Sequence, residues 1–562
     1  MSAPQPARAP VIKPWRPTKM TAWYDPRQLG TAVQLAVSTT LGQHADARLV
    51  ETLASPQHII HDEYKDQAEI WIDYVADVGD GWDSTYTVAY QLAQPQLQVK
   101  APGGEQDHPT RLPRASVLIF GGDEVYPTPS RAAYEQRLLQ PYEMALRYSP
   151  PPHPDVFAIP GNHDWYDSLA SFTRLFCNDR WFAGWRTRQK RSYFALHLPH
   201  GWWLIGTDVQ LESDIDAPQV AYFKDVAAQM HPGDRVILCN AEPDWISAKS
   251  HGELDPNVTE NNLEYLEQKV LQKKIAVFIA GDLHHYRRHE GPGKTQKITA
   301  GGGGAFLHPT HGLDVSRLQG GFVHQKSFPD EKTSRGLCWR NLAFPFLNPW
   351  FGTVTAVLYV LTAWTVMADV GRFGLGDVFP ALTVTLETAL NRPAAVFWIL
   401  TILLGFLFFT DTRSKPYRII AGLVHGLSHL KAVFYIGWFA TFVTVSTCGL
   451  RFRSIDQLLL AGLIVAAGGW FAGSFLMGLY LLVSLNVFRR HSNEAFSSLQ
   501  IPDWKNFLRM KIDKDGNLTI YPIGIERVAR QWKDGAAGGP EKVPIGGTPP
   551  ELIEDPVVIP RV

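Results

Sequence analysis

Charged residues are distributed unevenly along this chain, and that distribution constrains the fold more than any other feature. They are interspersed up to about Asn341 and almost vanish from long stretches after it. A helix of about 20 apolar residues is long enough to cross the hydrocarbon core of a bilayer. A chain of 562 residues is also too long for one compact core. We therefore expect a globular N-terminal part followed by a membrane-embedded part.

The membrane part is predicted at residues 341–488, where the uncharged stretches lie. They indicate about four transmembrane spans, at residues 350–368, 393–410, 432–450 and 458–488. Lys and Arg are more frequent on the side that would hold both flanking parts of the chain, and cytoplasmic loops carry such an excess. We therefore expect a multi-pass protein of the plasma or inner membrane, with its N-terminal part in the cytoplasm.

The other segments are a disordered N-terminus, a folded domain and a cytoplasmic tail, at residues 1–20, 21–330 and 489–562. Within the folded domain, a helix is expected from Arg27 to Leu53. In the tail, an Asp515-Gly516-Asn517 turn separates two strand-like segments, which predicts a short β hairpin. We expect this hairpin to fold back on the N-terminal domain.

Six short runs of β-branched and aromatic residues in the N-terminal domain each end in a cluster of Gly, Asp, Asn or His. They lie at residues 69–81, 116–126, 155–165, 235–245, 275–286 and 297–306. Rigid strands that end in polar loops at one edge are how an α/β fold presents a functional site. Residues 192–208 alternate in polarity and turn at His200-Gly201, which predicts a further hairpin.

Four of the runs end in motifs that contain ligands for metal ions. They read DVGDG, GGDEVY, GNHD and GDLHHY, and begin at Asp77, Gly121, Gly161 and Gly281. A phosphate ester resists hydrolysis because its anionic oxygens repel a nucleophile. Two metal ions about 4 Å apart neutralise that charge and hold the ester in line. Such a site needs oxygen and imidazole ligands from several strand ends, with one carboxylate bridging the ions.

The order and spelling of these motifs resemble those of the calcineurin-like metallophosphoesterases, in the form found in purple acid phosphatases. That family has DxG, GDxxY and GNH followed by an acid, then a later histidine and GHxH. The match covers roughly residues 71–304. The resemblance implies a layered α/β/β/α metallophosphoesterase β-sandwich, so the chain is predicted to combine an α/β domain with an all-α transmembrane domain. It also implies a dinuclear metal centre that hydrolyses a phosphate ester or pyrophosphate bond.

The resemblance assigns roles to individual residues. As ligands it implies Asp77, Tyr126 and His284 on one ion, Asp123 as the bridging carboxylate, and Asn162 on the other ion. It also implies that His163 is the catalytic histidine, which protonates the leaving group or stabilises the transition state. Asp164 would then orient the imidazole of His163.

Two positions depart from the family pattern, and both fall on ligands of the second ion. Asp282 stands where the family has the first histidine of GHxH, and Glu242 stands in place of the lone histidine. A carboxylate keeps a ligand but adds charge and hardness, so we expect two divalent or mixed-valence ions, Mn, Fe or Mg rather than Zn. Either the second site persists with these carboxylates, or it is weak and the enzyme is poorly active or regulated. Asp80 is a further candidate to coordinate a metal or hydrogen-bond a ligand.

Candidates for substrate binding lie beside the motifs. Residues 181–191 interleave aromatic with basic side chains, and Arg186 and Arg188 in this segment could bind a phosphorylated headgroup. The same segment could rest at the membrane interface or be an ordinary solvated loop. His285, which follows the predicted ligand His284, is another candidate for binding the substrate.

In the membrane part, His425 and His429 share one helix face at i, i+4 spacing. They could bind a metal ion, but no HExxH motif surrounds them. An interfacial amphipathic helix between Arg418 and Lys431 is the simpler interpretation.

The sequence thus predicts a membrane-anchored, metal-dependent phosphoesterase with its active site at the cytoplasmic face. The expected substrate is a phosphorylated small molecule or a lipid-linked phosphate, because a bilayer anchor raises the local concentration of embedded substrates. A formal net charge of -1 gives no reason to expect a nucleic acid partner. The alternative is a membrane signalling or scaffold protein whose phosphoesterase domain is catalytically weakened.

Overall fold

The structure is a computed structural model that describes most of the chain. The described residues are 17–31, 33, 59–104, 109–147, 153–209, 215–252, 261–367, 374, 376–410, 412 and 414–561. Most of the helix predicted from Arg27 to Leu53 lies outside these residues, as does most of the predicted disordered segment 1–20. Near the start of the predicted helix, Pro26–Gln28 form a 3-10 turn that is capped by the side chain of Asp25.

The strands of the described residues are numbered in chain order. They are β1 (Ile70–Val75), β2 (Gln96–Val99), β3 (Thr110–Pro113), β4 (Val117–Phe120), β5 (Asp155–Ala158), β6 (Trp181–Phe182), β7 (Trp185–Thr187), β8 (Phe194–His197), β9 (Trp202–Gly206), β10 (Arg235–Cys239), β11 (Ile275–Ala280), β12 (Tyr286–Glu290), β13 (Gln296–Ala300), β14 (Val323–Phe328), β15 (Lys505–Ile512), β16 (Leu518–Ile525), β17 (Gln531–Asp534), β18 (Lys542–Ile545), β19 (Glu551–Leu552) and β20 (Val557–Ile559).

The α-helices of the described residues are numbered in the same way. They are α1 (Trp82–Ala93), α2 (Arg131–Ala133), α3 (Gln140–Ala145), α4 (Ala170–Phe176), α5 (Ala217–Ala227), α6 (Asp244–Gly252), α7 (Asn261–Tyr265), α8 (Glu331–Cys338), α9 (Phe344–Leu347), α10 (Pro349–Val366), α11 (Val378–Leu390), α12 (Pro393–Phe409), α13 (Lys415–Phe442), α14 (Ile455–Asn486) and α15 (Ser492–Ser497).

Two sheets organise the soluble domain. The first runs in the order β19-β16-β15-β1-β4-β5-β7-β6, and the second in the order β14-β12-β13-β11-β10-β9-β8. The six strands predicted from the sequence are β1, β4, β5, β10, β11 and β13. Of these, β1, β4 and β5 are parallel in the first sheet, and β10, β11 and β13 are parallel in the second. The predicted hairpin is the antiparallel pair of β8 and β9.

The two sheets pack face to face, with helices outside them. Ile72 and Ile119 of the first sheet share one apolar cluster with Ile237 and Ile279 of the second. Separate clusters join α1 to the outer face of the first sheet and α5 to the outer face of the second. The predicted α/β/β/α layering is therefore confirmed.

The C-terminal strands complete the first sheet. Strand β15 pairs antiparallel with β1, and β16 returns antiparallel beside β15. The buried guanidinium of Arg509 donates to both carboxylate oxygens of Asp73, with N···O distances of 2.7 Å. Loss of either partner of a buried ion pair costs roughly 3–5 kcal/mol. This pair therefore stabilises the register of β15 on β1.

Several helices after residue 348 are long and apolar enough to span a membrane. Within the described residues these are α10, the helix Lys415–Thr447 that extends α13, and α14. Helices α11 and α12 meet the same criterion together, but they are bent by 101° at their junction. The predicted span 393–410 is α12, which begins at a proline because proline fits the first turn of a helix. The predicted span 432–450 is only the second half of a helix that begins at Lys415.

The interfacial interpretation of His425 and His429 is corrected by the structure. Both imidazoles are buried inside the bundle, and their Nε2 atoms lie 3.2 Å apart. The hydroxyl of Tyr359, in α10, lies 2.9 Å from Nδ1 of His429. The position between Arg418 and Lys431 suggested an interface, whereas here the two rings and Tyr359 pair with one another and Phe406 packs against both rings.

The helix bundle packs directly against the soluble domain. Leu307, in the loop after β13, shares an apolar cluster with Phe344, Leu481, Leu485 and Phe496. These residues lie around the start of α10, near the end of α14 and just after it. The loop that follows β13 therefore lies against one end of the bundle.

Candidate metal centre

Four predicted ligands lie just beyond the carboxyl ends of parallel strands. Asp77 follows β1, Asp123 follows β4, Asn162 follows β5 and His284 follows β11. Parallel strands present their carboxyl ends at the same edge of a sheet, and the two sheets of this domain are stacked. Loops from both sheets therefore meet at one edge of the sandwich.

The hydroxyl of Tyr126 lies where the predicted ligands of the first ion converge. Its oxygen is 2.8 Å from Oδ1 of Asp77, 3.0 Å from Oδ2 of Asp123 and 2.9 Å from Nε2 of His284. All four side chains are buried. Two carboxylates, a phenol and an imidazole that converge on one point form a donor set suited to a hard or borderline cation.

The acidic residues of the centre have a strained backbone. Asp77, Asp123 and Asp282 have φ angles of 58°, 55° and 63°, in the left-handed region. Asp enters this region more readily than most residues, but at some energetic cost. Such strain persists only where many surrounding contacts hold the backbone in place, and it clusters at functional sites.

The predicted ligands of the second ion make fewer contacts with one another. Oδ1 of Asn162 is buried and has no hydrogen-bond partner, although buried polar atoms are nearly always paired. The half-buried Asp282 donates its backbone N–H to Oδ2 of Asp77 over 2.9 Å. Burial raises the pKa of Tyr166, and the nearby charges of Asp123, Asp282 and Glu242 add to this effect. A buried amide oxygen without a hydrogen-bond partner fits a second bound cation.

The donor set is mixed in kind. Among the described residues, no group of three or more His, Cys, Asp or Glu side chains is arranged to hold a metal ion. The fit to a metal therefore depends on the Tyr126 hydroxyl and the Asn162 amide in addition to the carboxylates and His284. Oxygen donors dominate this set, which favours hard cations such as Mg or Mn over Zn.

The centre concentrates negative charge in a buried space. Burial raises the pKa values of Asp77 and Asp123 well above their ordinary range, and repulsion from Asp77 adds to the effect on Asp123. Burial and the charge of Asp77 also raise the pKa of Asp282 to about 7. Lys505, in β15, is buried nearby and donates to the carbonyl of Ala305. Burial lowers the pKa of this lysine to about 8.

His163 lies beside the ligands and is held through its backbone and its ring. Its N–H donates to Oδ1 of Asp123 over 2.8 Å, and its Nδ1 lies 2.7 Å from the carbonyl oxygen of Pro127. A carbonyl only accepts, so Nδ1 carries the proton in this contact. Burial lowers the pKa of the imidazole to about 4. The rings of Tyr126 and Tyr166 both pack against the imidazole, with centroids 4.4 and 4.9 Å away.

Asp164 does not make the contact predicted for it. Its Oδ2 accepts from the backbone N–H groups of Gly161 (2.9 Å) and Glu124 (3.2 Å), and its Oδ1 accepts from the hydroxyl of Tyr134 (2.5 Å). The carbonyl of Pro127 orients His163 instead. Asp164 therefore holds together the two loops that bear Asp123 and Asn162.

The loop after β13 supports His284 and Asp77. Nδ1 of His284 lies 2.7 Å from the carbonyl oxygen of Phe306, and its ring stacks on His308 with centroids 3.9 Å apart. At Gly301, a Cβ atom would lie 2.5 Å from Oδ2 of Asp77. Glycine is therefore required there, because the backbone passes against a predicted ligand.

The sequence model of the calcineurin-like phosphoesterase family matches residues 70–286. This segment is a calcineurin-like phosphoesterase domain. Its matched region includes the four motifs and ends at the start of β12. The phosphoesterase domain is extended in this chain by β13 and β14, and by the C-terminal strands that pair with β1.

Two solved structures resemble part of the chain. One is described as GAP50, the anchor in the inner membrane complex of Plasmodium; it has 13% identity, covers 46% of this chain and 78% of its own, and has a TM-score of 0.32. The other is purple acid phosphatase PPD1 from yellow lupin (Lupinus luteus) seeds, with 14% identity, coverage of 47% and 50%, and a TM-score of 0.33. No curated protein matches the chain.

Arg186 and Arg188 lie away from the candidate metal centre. Strand β7 places Arg186 opposite Asp155, at the start of β5, whereas the ligands follow the other end of that strand. Arg186 pairs with Asp179 over 3.3 Å, and Arg188 pairs with Glu63 over 2.8 Å. Neighbouring carboxylates match the charges of both arginines, and the structure does not bring them together with the predicted ligands. Their role in substrate binding stays a prediction.

Asp80 holds the N-terminal segment. Its Oδ1 accepts from the backbone N–H and the hydroxyl of Thr21, over 2.7 and 2.6 Å. Its Oδ2 is buried without a hydrogen-bond partner. These contacts give Asp80 a structural role, and its predicted metal ligation stays a prediction. His285 is buried beside Arg287 and His308, and its role in substrate binding stays a prediction.

Three residues at the centre were not predicted from the sequence. Lys505 comes from the C-terminal part, Trp23 from the N-terminal segment, and Tyr166 follows the GNHD motif. Only the adjacent aromatics Trp23-Tyr24, at the end of a Pro-rich stretch, offered a signal. Lys505 had none, since it reaches the centre only through the pairing of β15 with β1.

Proposed function

We propose that the chain is a membrane-anchored, metal-dependent phosphoesterase that hydrolyses a phosphate ester or pyrophosphate bond. The observation that carries this proposal is the convergence of Asp77, Asp123 and His284 on the hydroxyl of Tyr126. Members of the family to which the matched domain belongs generally use two metal ions at such a site. Asp77, Tyr126 and His284 would hold one ion, Asp123 would bridge, and Asn162, Glu242 and Asp282 would hold the other.

Hydrolysis would use both the bound ions and side chains around them. Bound ions would neutralise the phosphate and lower the pKa of an attacking water. His163 presents its Nε2 edge away from Pro127, and is the group placed to exchange a proton with the leaving oxygen. The buried setting around Tyr126 and Tyr166 excludes bulk water and strengthens the electrostatic interactions within the site.

The topology supports a cytoplasmic active site. Strands β1 and β15 pair in one sheet, so the residues before and after the helix bundle lie on the same side of the membrane. That requires an even number of crossings. Three single helices and the bent pair of α11 and α12, counted as one span, give four. The flank shared by both soluble parts carries Lys332, Arg335, Arg340, Lys415, Arg418, Arg489 and Arg490. An excess of basic residues marks the cytoplasmic side.

The substrate is a phosphorylated small molecule or a lipid-linked phosphate at that face. Leu307 packs on the bundle, and the neighbouring Phe306 holds the predicted ligand His284. The predicted ligands are therefore close to the headgroup region. A membrane-embedded phosphate would reach this site at a raised local concentration.

A second candidate function is a catalytically weakened phosphoesterase that serves in signalling or as a scaffold. It is favoured by the carboxylates Glu242 and Asp282 at positions where the family has histidines. Repulsion among Asp123, Glu242 and Asp282 would destabilise the second metal site whenever no cation occupies it.

Hydrolysis by the full chain in detergent, supplied with Mn, decides between the two. We expect release of product from an aryl phosphate or a bis-aryl phosphodiester, together with about two bound ions per chain. Asp123→Asn should abolish both. Asp179→Asn is the matched control, because Asp179 is an exposed carboxylate paired with Arg186 far from the ligands. Metal-bound but inactive wild-type protein would favour the scaffold.

A further inference from the structure

An N-terminal arm, residues 18–28, connects the phosphoesterase domain to the helix bundle. At its first end, the carbonyl of Thr18 accepts from the backbone N–H of Trp82 over 2.9 Å. Thr21 donates twice to the buried carboxylate of Asp80. These bonds fix the start of the arm beside the loop that follows Asp77.

The other end of the arm is fixed to the bundle. The hydroxyl of Tyr24 donates to the carbonyl of Glu494 over 3.2 Å. Its ring packs edge-on against Phe344 and Phe351, with centroids 5.0 and 5.7 Å away. The guanidinium of Arg27 lies 5.3 Å from the ring of Trp350. Phe351 and Trp350 belong to the first turns of α10, so this end lies where the bundle enters the membrane.

Trp23 lies between these two attachments and faces the centre. Its indole packs edge-on against His163 and Phe306, with centroids 5.9 and 6.2 Å away. Its Nε1 is buried and has no hydrogen-bond partner. A buried indole N–H normally finds an acceptor. Trp23 therefore offers an apolar face and an unmatched donor beside His163, the proposed catalytic histidine.

We propose that Trp23 is a specificity-determining residue that contacts the apolar part of an amphiphilic, lipid-like phosphate. This inference rests on the proposed hydrolytic function and narrows its substrate class. The leaving group must lie on the side of His163, and Trp23 occupies that side. The next residue, Tyr24, packs against Phe351 in the first turns of α10, where the bundle enters the membrane. An acyl or prenyl chain attached to the phosphate would thus pass Trp23 on its way to the bilayer.

The physical basis of selection is the amphipathic indole. Indole rings prefer the headgroup zone, where one edge is wet and the body is apolar. Contact with several methylene groups would favour a long-chain substrate, whereas a short, water-soluble phosphate would gain little. The free N–H would pair with an oxygen of the ester, which a bound substrate supplies.

A series of alkyl phosphates tests the proposal on the full chain in detergent. Ethyl, octyl and dodecyl phosphate are compared by release of inorganic phosphate from wild type, Trp23→Ala, Trp23→Phe and Trp339→Ala. We expect kcat/KM of wild type to rise with chain length. Trp23→Ala should lower it about tenfold for dodecyl phosphate and little for ethyl phosphate. Trp23→Phe should restore most of the chain-length preference, because it keeps the apolar face.

Trp339→Ala is the matched control. Trp339 is an exposed tryptophan (59%) between the domain and α10, so its loss tests general contact with detergent or membrane. A loss of chain-length preference that is equal in Trp339→Ala and Trp23→Ala would overturn the proposal. An equal fall of kcat/KM for all three phosphates in Trp23→Ala would also overturn it, because that pattern indicates a structural role.

A binding measurement separates this inference from the proposed function. Dodecyl and methyl phosphonate, which resist hydrolysis, are titrated into each variant by calorimetry. Tighter binding of the dodecyl compound that is lost in Trp23→Ala and kept in Trp339→Ala supports the inference even if no substrate is hydrolysed. Hydrolysis of aryl phosphates without any preference for the dodecyl compounds overturns the inference and leaves the hydrolytic function standing.

Discussion

The two halves of the candidate metal centre differ in how completely the protein alone defines them. Around Tyr126, the predicted ligands Asp77, Asp123 and His284 already contact its hydroxyl, at distances of 2.8–3.0 Å. On the other side, Oδ1 of Asn162 has no hydrogen-bond partner, and the remaining donors are the half-buried carboxylates Glu242 and Asp282. The first half is preorganised, whereas the second is a group of like charges that a cation would have to stabilise.

The largest expected effect comes from the preorganised half. Asp77→Asn should lower kcat/KM by about 10³-fold, because it removes a ligand and a negative charge from the first ion. Hydrolysis and metal content measured on the same preparation check this. Asp62→Asn, which alters an exposed carboxylate paired with Lys65, should leave both unchanged. Near-normal activity of Asp77→Asn would show that the convergence on Tyr126 is structural.

A smaller effect is expected when the second half is given histidines. The double variant Glu242→His and Asp282→His should raise Zn-supported activity about tenfold relative to Mn-supported activity, because imidazole suits Zn and carboxylate suits Mn. The activity of chelator-treated protein is measured after each metal is added back. An unchanged ratio would mean that neither residue contacts the second ion.

Tyr126→Phe should reduce activity less, by about fivefold. The variant loses the ligand oxygen but keeps the ring that packs on His163. If the purified protein contains ferric iron, its visible absorption should vanish in this variant. An unaltered absorption band would place the chromophore elsewhere, and a colourless active enzyme would indicate Mn or Mg.

The smallest effect is expected at Asp80. Asp80→Asn should leave metal content unchanged, because the carboxylate oxygen is used by Thr21. It should lower the free energy of unfolding by about 1 kcal/mol, since an amide oxygen accepts more weakly than a carboxylate. Thermal unfolding and metal analysis test these two outcomes separately. Loss of one bound ion in Asp80→Asn would instead indicate that Asp80 is a metal ligand.

The sequence indicated which strand ends carry the candidate ligands, because this signal is local. Each of Asp77, Asp123 and Asn162 follows a run of apolar, β-forming residues, and a ligand that directly follows a strand is placed by that strand. The sequence was less informative about the position of Arg186 and Arg188. Their spacing with aromatics suggested phosphate binding, but which end of β5 they face depends on the pairing of β5 with β7.

The C-terminal part shows the same limit. The hairpin of β15 and β16 was predicted from its turn, and its return to the domain was expected. Its place beside β1 and the burial of Lys505 next to Asp77 depend on contacts across hundreds of residues. The buried pair of Arg509 with Asp73 is one such contact, and no local pattern in either strand indicates it.

The sequence by itself indicated a phosphoesterase domain with candidate metal ligands at strand ends, and a C-terminal part whose candidate membrane spans have no charges at their centres. These features are set by local periodicity and by motifs a few residues long. Only the tertiary structure decided that β15 places the cationic side chain of Lys505 near Asp77. The same holds for the burial of His425 and His429 inside the bundle and for the contact of Trp23 with His163. The reason is that these placements minimise the free energy of the whole packed chain, in which distant segments satisfy one another's polar and apolar surfaces.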